Sequence, residues 1–173
     1  MKKLTLFVSL ILCFAMMFTL ASCSGKSKAH SSPESIVENF LEAYSQLDAD
    51  GMFDCFNEGV LQKIADEEYD GDLDACKEDF KEFVDEAKEE SEGIEVSFKV
   101  IESKDLEGED LDEIKEYFSE YYDAEVSAAA SVTFEMTVKG EDEGVALDNT
   151  EEETITVIKI DGKWYVNHED ITL

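Results

Sequence analysis

The first half of the chain carries apolar residues at intervals of three and four, the spacing of helices with one buried face. This spacing predicts a helix over residues 33–47, which Ser32-Pro33 would open because serine caps a helix and proline tolerates its first turn. Similar stripes predict a shorter helix over 52–64 and a third over 72–90. The stripes consist of Ile36, Val37, Phe40, Leu41, Tyr44 and Leu47; Met52, Phe53, Phe56, Val60, Leu61 and Ile64; and Leu73, Cys76, Phe80, Phe83, Val84 and Ala87.

Beyond Gly93 the apolar period changes to two, which is typical of strands with one buried and one solvated face. This alternation predicts strands over residues 94–100 and 132–138. An amphipathic helix over 110–122 separates them. The acidic stretch 140–153 is predicted to be a loop.

The pattern at the end of the chain predicts a strand pair. Residues 154–160 are apolar on both faces, which indicates a central strand. Asp161-Gly162 favours the positive backbone angles of a tight hairpin, so residues 163–168 are predicted to return as its partner. The whole order predicts an α+β fold, with N-terminal helices packed on one face of a curved, mostly antiparallel sheet.

The chain opens with a leader of basic, apolar and small segments, the order of a secretory signal. Its apolar stretch, residues 4–20, has 17 residues, fewer than the roughly 20 that a spanning helix needs. Leu20-Ala21-Ser22-Cys23 resembles the lipobox of bacterial lipoproteins. The resemblance implies that residues 1–22 are removed and that lipidated Cys23 anchors the protein at the extracytoplasmic face of a bacterial membrane. The alternative is an ordinary secretory signal with an incidental cysteine.

A small polar segment links Cys23 to the predicted domain. Residues 23–32 have no apolar periodicity, so we interpret them as a flexible tether and His30 as a solvated linker residue. The domain itself is predicted to occupy residues 33–173.

The chain is strongly acidic. Its formal charge is -30, and loss of Lys2 and Lys3 with the leader would make it -32. An apolar fraction of 43% with clear periods still indicates a folded core. The charge argues against nucleic-acid binding and favours cations or basic partners.

The opening helix 33–47 with its Asp48-Ala49-Asp50-Gly51 break and the closing strand pair 157–166 resemble the cystatin-like, or nuclear-transport-factor-two-like, cone fold. The likeness is to small bacterial lipoproteins of unknown function. Other members of that superfamily include domains that only bind, and isomerases and dehydratases with an acid, tyrosine or histidine inside the cone. The predicted inward face here carries no carboxylate, and His168 is the one titratable residue that shares its parity.

We therefore expect a membrane-anchored binding or interaction module rather than an enzyme, without a cofactor. Its occupant would be a hydrophobic ligand or a protein partner, and a ligand pocket would be lined by Phe98, Phe134 and Trp164. Two alternatives stay open: a small-molecule isomerase or dehydratase, and a structural cell-envelope accessory domain.

Two cysteines stay in the mature domain beyond the anchor. An exported protein can bridge Cys55 and Cys76 by a disulfide, and two buried unpaired thiols are the alternative. No Cys-x-x-Cys pair suggests redox chemistry.

Two acidic turns approach the spacing of a calcium loop. The loop that starts at Asp66 has Lys77 in place of the bidentate acid at position twelve, and the one over residues 46–57 ends at Asn57. Both fit helix-to-helix turns better, so no metal site is predicted.

Overall fold

The computed structural model describes residues 30–91, 93–142 and 145–170, so the leader and Cys23 lie outside the described residues. The α+β class is confirmed. Within the described ranges the elements are α1 Pro33–Ser45, α2 Ala49–Phe53, α3 Glu58–Glu68, α4 Leu73–Glu90, β1 Ile94–Asp105, α5 Glu109–Tyr122, β2 Val126–Asp142, β3 Val145–Ile160, β4 Lys163–Val166 and a 3-10 turn His168–Asp170.

The four described strands form one curled antiparallel sheet in the order β1-β2-β3-β4. The register confirms the predicted parity, because Val100 lies opposite Phe134 and Phe98 lies opposite Met136. A bulge after Val100 carries β1 on to Asp105, five residues beyond the predicted end.

Side-chain caps set where the N-terminal helices begin. The carboxylate of Asp48 accepts from the Gly51 amide at 3.1 Å, and that of Asp72 accepts from the Asp74 and Ala75 amides at 3.1 Å. Asn57 caps α3 in the same way. The predicted helix 52–64 is therefore wrong in one respect: it is two helices, because the Asn57 cap starts a new one.

The sheet has a core on each face. The larger core lies between the N-terminal helices and the inner face, and it takes Ile155 and Val157 from β3. The smaller core lies under α5 and takes Ile158 and Ile160 from the same strand, which confirms the two-sided prediction for β3. The described members of both cores lie between residues 36 and 166.

The predicted acidic loop 140–153 is wrong. β3 begins at Val145 and pairs with β2 along its whole length, so the stretch holds the end of β2 and the first part of β3. From Asp148 to Thr154 every residue is exposed, so no apolar alternation marks the strand. Its backbone pairing with β2 holds it in place.

The closing hairpin is confirmed. Asp161 and Gly162 have φ of +50° and +79°, the positive angles that the turn requires. β4 ends at Val166 rather than at 168, and the chain enters the 3-10 turn. His168 therefore leaves the parity of the strand and packs on α5 instead.

Candidate functional site

An open groove of about 620 Å³ runs between α3 and α4. We call it the helix groove. Its floor is apolar and mostly aromatic, formed by Phe53, Phe56, Leu61, Ile64, Phe80 and Phe83. Phe53, Ile64 and Phe83 are only half-buried, so the floor keeps apolar surface in contact with solvent.

The connection between α3 and α4 explains why the two apolar faces meet. α3 ends at Glu68, and Asp70 and Gly71 adopt positive φ of +53° and +86° before the Asp72 cap starts α4. Such a tight turn between helices brings them side by side. The ring of Phe53 packs edge-on against Phe80 at 5.3 Å between centroids, which joins α2 to this pair.

Acidic side chains border the helix groove. Glu67, Glu68 and Asp79 lie at the rim and are exposed. The hydroxyl of Tyr69 donates to Asp79 at 3.2 Å, and burial, with this bond second, raises the pKa of the Tyr69 phenol. The rim is thus anionic while the floor is apolar.

A cluster of hydrogen-bonded side chains forms another part of the groove lining. Tyr122 and His168 share a hydrogen bond of 2.7 Å between Oη and Nε2. Tyr117 donates to Glu169 at 2.7 Å, and Glu169 lies 3.1 Å from His168 Nε2. The cluster ties the 3-10 turn to α5, and Tyr122, His168 and Glu169 all line the groove.

Burial shifts the pKa of His168 and of Tyr122 in this cluster. It lowers the pKa of His168 despite the opposing charge of Glu169, so the imidazole is neutral at pH 7. Burial, followed by the contacts with Tyr117 and Glu169, raises the pKa of Tyr122, so its phenol stays protonated. Neutral imidazole and phenol can accept and donate hydrogen bonds to a polar group in the groove.

A second groove of about 470 Å³ adjoins the first and shares Phe53, Phe56 and Leu61 with it. We call it the His30 groove. It continues along α4 to Leu73 and is bordered by Asp50, Asp54 and Glu58. Lys77 lies in its wall with Nζ 5.7 Å from the centre of the Phe53 ring.

The interpretation of His30 as a solvated linker residue is wrong. Its carbonyl accepts from the Trp164 amide at 3.1 Å, and its Nδ1 donates to the Trp164 carbonyl at 2.6 Å. Its ring lies 4.8 Å from that of Tyr165. Residue 30 is therefore held at the outer edge of β4, three residues before α1.

The structure places the predicted pocket residues in the core. Phe134 and Trp164 belong to the larger core, and Phe98 packs on it with its ring 5.9 Å from that of Phe134. None of the three lines the helix groove or the His30 groove. Helix α1 contacts all four strands, so it covers the inner face of the sheet on which these residues lie.

Cys55 and Cys76 are both free thiols here. Cys55 is 3% exposed, its thiol lies 3.3 Å from the Gly51 carbonyl, and burial, with Asp54 next, raises its pKa to about 12. Cys76 is half-buried and lines the helix groove. The disulfide stays a prediction, as does lipidation of Cys23.

The two calcium-like stretches are helix-to-helix turns, in which Asp48 and Asp72 cap α2 and α4. Within the described ranges no group of three or more His, Cys, Asp or Glu side chains is placed to hold a metal ion.

Sequence reasoning missed the helix groove, although one signal for it was present. The stripe of α4 is long, about four turns from Leu73 to Ala87, and a long stripe can serve both a core and an open surface. Nothing local could pair Tyr122 with His168, because 46 residues separate them.

No protein-family model and no curated protein matches this sequence. In the part of the chain that the structure describes, none of the helices has the length and apolarity needed to cross a bilayer.

Proposed function

We propose that this protein is a lipid-anchored extracytoplasmic binding module whose binding site is the helix groove. The observation that carries the proposal is the half-buried aromatic floor of that groove, formed by Phe53, Phe83 and their neighbours. Apolar surface in a concave site is stabilised when a ligand or a partner covers it. The occupant is a hydrophobic ligand or an apolar segment of a protein.

The anchor supports this function by position. His30 follows Cys23 after a short tether. Seven residues of fully extended chain span at most roughly 25 Å. Because His30 is fixed on β4 and lines the neighbouring groove, a lipidated Cys23 would keep both grooves close to the membrane. Fractionation tests the anchor: wild type should be in the membrane fraction, and Cys23→Ala should leave it.

Groove binding can be measured through Cys76, because this thiol lines the helix groove while Cys55 is buried. A chain of residues 24–173 keeps both cores. N-phenyl-1-naphthylamine, a neutral apolar dye, should become fluorescent when it binds. It should also slow the alkylation of Cys76 by N-ethylmaleimide, which mass spectrometry measures.

The matched variants are Phe83→Gln in the groove floor and Ile101→Gln on β1, where a 45% exposed isoleucine lies outside both grooves. Phe83→Gln should weaken dye binding about tenfold, since it removes an apolar contact of about 1.4 kcal/mol. Ile101→Gln should change nothing. If the dye neither binds nor protects Cys76, the binding function is wrong and an accessory structural role is left.

A small-molecule isomerase or dehydratase is the second candidate. The observation that favours it is the contact of Tyr122, His168 and Glu169 beside an apolar groove, since a phenol and an imidazole can polarise a carbonyl and move a proton. Exchange of carbon-bound protons in small ketones in deuterated water would reveal such an activity. Equal, background exchange by wild type and His168→Ala would remove this candidate.

A further inference from the structure

We infer that the helix groove and the His30 groove together bind a cationic amphipathic helix of a protein partner. This inference rests on the proposed function and names the class of occupant. The two grooves share Phe53, Phe56 and Leu61, so their apolar floors are continuous. Along α4 the floor extends from Leu73 to Phe83. Ten helical steps span about 15 Å, or nearly three turns.

The walls of the combined groove explain why the occupant is helical. α2, α3 and α4 supply most of them, and helices use their own backbone groups in internal hydrogen bonds. Where β4 adds Tyr165, the outward amides of Trp164 and Val166 already donate to the carbonyls of His30 and Cys55. An extended peptide laid on such walls would bury N–H and C=O groups without partners, which is costly. A helix satisfies its backbone internally and presents apolar residues at three- and four-residue spacing.

The negative charge of the rim favours a partner with positive charge. Among the described residues, the acidic side chains that line the two grooves are Asp50, Asp54, Glu58, Glu67, Glu68, Asp79 and Glu169, and the one lysine is Lys77. Asp50 is paired with Lys81 at 3.1 Å, outside the groove lining. A concave site with walls of one sign focuses its field and raises the local concentration of the opposite charge. Anionic amphiphiles, including fatty acids, are disfavoured for the same reason.

The probes are three synthetic peptides of about 14 residues, roughly 21 Å of helix. One carries leucine and lysine at helical spacing, the second has glutamate for lysine, and the third is the first in scrambled order. Binding to residues 24–173 is read by fluorescence anisotropy and by protection of Cys76 from N-ethylmaleimide. The first peptide should bind and slow alkylation at least fivefold, and the other two should not.

The net negative charge of the protein attracts any cation. Two variants that lose the same number of acidic side chains, at the rim or elsewhere, therefore test whether the rim itself binds the peptide. The rim variant is Glu67→Gln, Glu68→Gln and Asp79→Asn. The control variant is Glu151→Gln, Glu152→Gln and Asp148→Asn, three exposed positions of β3 outside both grooves. The rim variant should weaken the lysine peptide about tenfold, and the control variant less than twofold.

Several results would overturn the inference. If the rim variant and the control variant lose the same affinity for the lysine peptide, the attraction comes from the net charge of the protein and not from the rim. If the glutamate peptide binds as tightly as the lysine peptide, the groove does not select a cationic partner. If the scrambled peptide binds as tightly, the groove does not require an amphipathic helix. Protection of Cys76 by dodecyltrimethylammonium as strong as that by the peptide would assign the groove to small cationic amphiphiles. If the neutral dye protects Cys76 and the lysine peptide does not, the inference fails while the proposed function stands. Failure of both probes removes both.

Discussion

The two ends of the β2–β3 hairpin form the same ladder in opposite surroundings. At its base, Val157 and Ile158 are 0% and 1% exposed, because α1 covers one face of the sheet and α5 the other. At its tip, residues 148–154 are exposed and largely acidic. The base is held by burial and the tip by pairing, so strand formation does not require a buried face where a partner strand is already fixed.

At the tip, several pairs of side chains that face each other across the two strands are polar or charged. Thr133 faces Thr154 and Thr137 faces Thr150, with hydroxyl pairs at 3.2 Å and 3.0 Å. Between them Glu135 lies directly opposite Glu152, a like-charge pair that opposes the ladder. The net contribution of the tip is therefore small, and changes at the base should cost much more than changes at the tip.

The largest loss of stability is expected when the packing of α5 on the base of the hairpin is removed. Phe118 of α5 is 1% exposed and fills the smaller core. Phe118→Ala should therefore lower the free energy of unfolding by about 3–5 kcal/mol, which chemical denaturation measures.

The matched control for Phe118→Ala lies on the same helix. The side chain of Tyr121 is 56% exposed. Tyr121→Ala should therefore change the free energy of unfolding by less than about 0.5 kcal/mol. Similar losses in the two variants would contradict the two-core account.

A smaller effect is expected where the tip region meets the start of β1. Gly140 has φ of +153°, and a Cβ there would lie 2.5 Å from the Gly93 carbonyl oxygen. Gly140→Ala should therefore destabilise the fold by about 2–3 kcal/mol, because backbone must move.

Gly108→Ala is the matched control for Gly140→Ala. Gly108 also has a positive φ, +62°, but a Cβ added there would have no atom within 4 Å. The control should cost about 1 kcal/mol, from backbone strain alone. Thermal or urea unfolding of both variants compares them, and an equal cost would show that the contact with Gly93 is not tight.

His168, in the 3-10 turn after β4, should make the stability of the fold depend on pH. Burial lowers the pKa of His168 below its ordinary value of 6.5, so below that pH the unfolded chain binds a proton that the folded chain refuses. The contribution of His168 to the free energy of unfolding should be constant above about pH 6.5 and should decrease as the pH falls below that value.

Urea unfolding at about pH 7.5 and about pH 5.5 checks this prediction, since most carboxylates stay ionised at both values. His168→Gln should reduce the difference in unfolding free energy between the two pH values. His30→Gln, which removes the other histidine, should leave it in place. A wild-type difference of zero would count against a buried neutral His168.

These contrasts also explain what could be predicted from the sequence. The base was predictable, because a strand that is buried on both faces needs apolar residues on both, and the stretch from Ile155 to Ile160 has them. The turn at Asp161-Gly162 was predictable from backbone angles. The tip was not, because the acidic stretch carries no apolar period and its pairing with β2 is a property of the partner strand.

The candidate site was less predictable than the fold. Apolar parity correctly placed Phe134 and Trp164 on the inner face, yet parity cannot show whether a helix fills the space over that face, and α1 does. The helix groove depends on how α3 and α4 meet after the Asp70-Gly71 turn, which is tertiary geometry. His168 was singled out for the wrong reason, since the strand ends before it.

The smallest effect should come from the like-charge pair at the tip. Glu152→Lys places a cation opposite Glu135, and Asp148→Lys places one opposite Lys139. The first change should stabilise the fold by about 0.5 kcal/mol and the second should destabilise it by a similar amount. Because both variants relieve the general acidity equally, the difference between their unfolding free energies isolates the cross-strand pairs. That difference should shrink in high salt, and a difference that is absent at low salt would mean that the tip strands do not hold this register in solution.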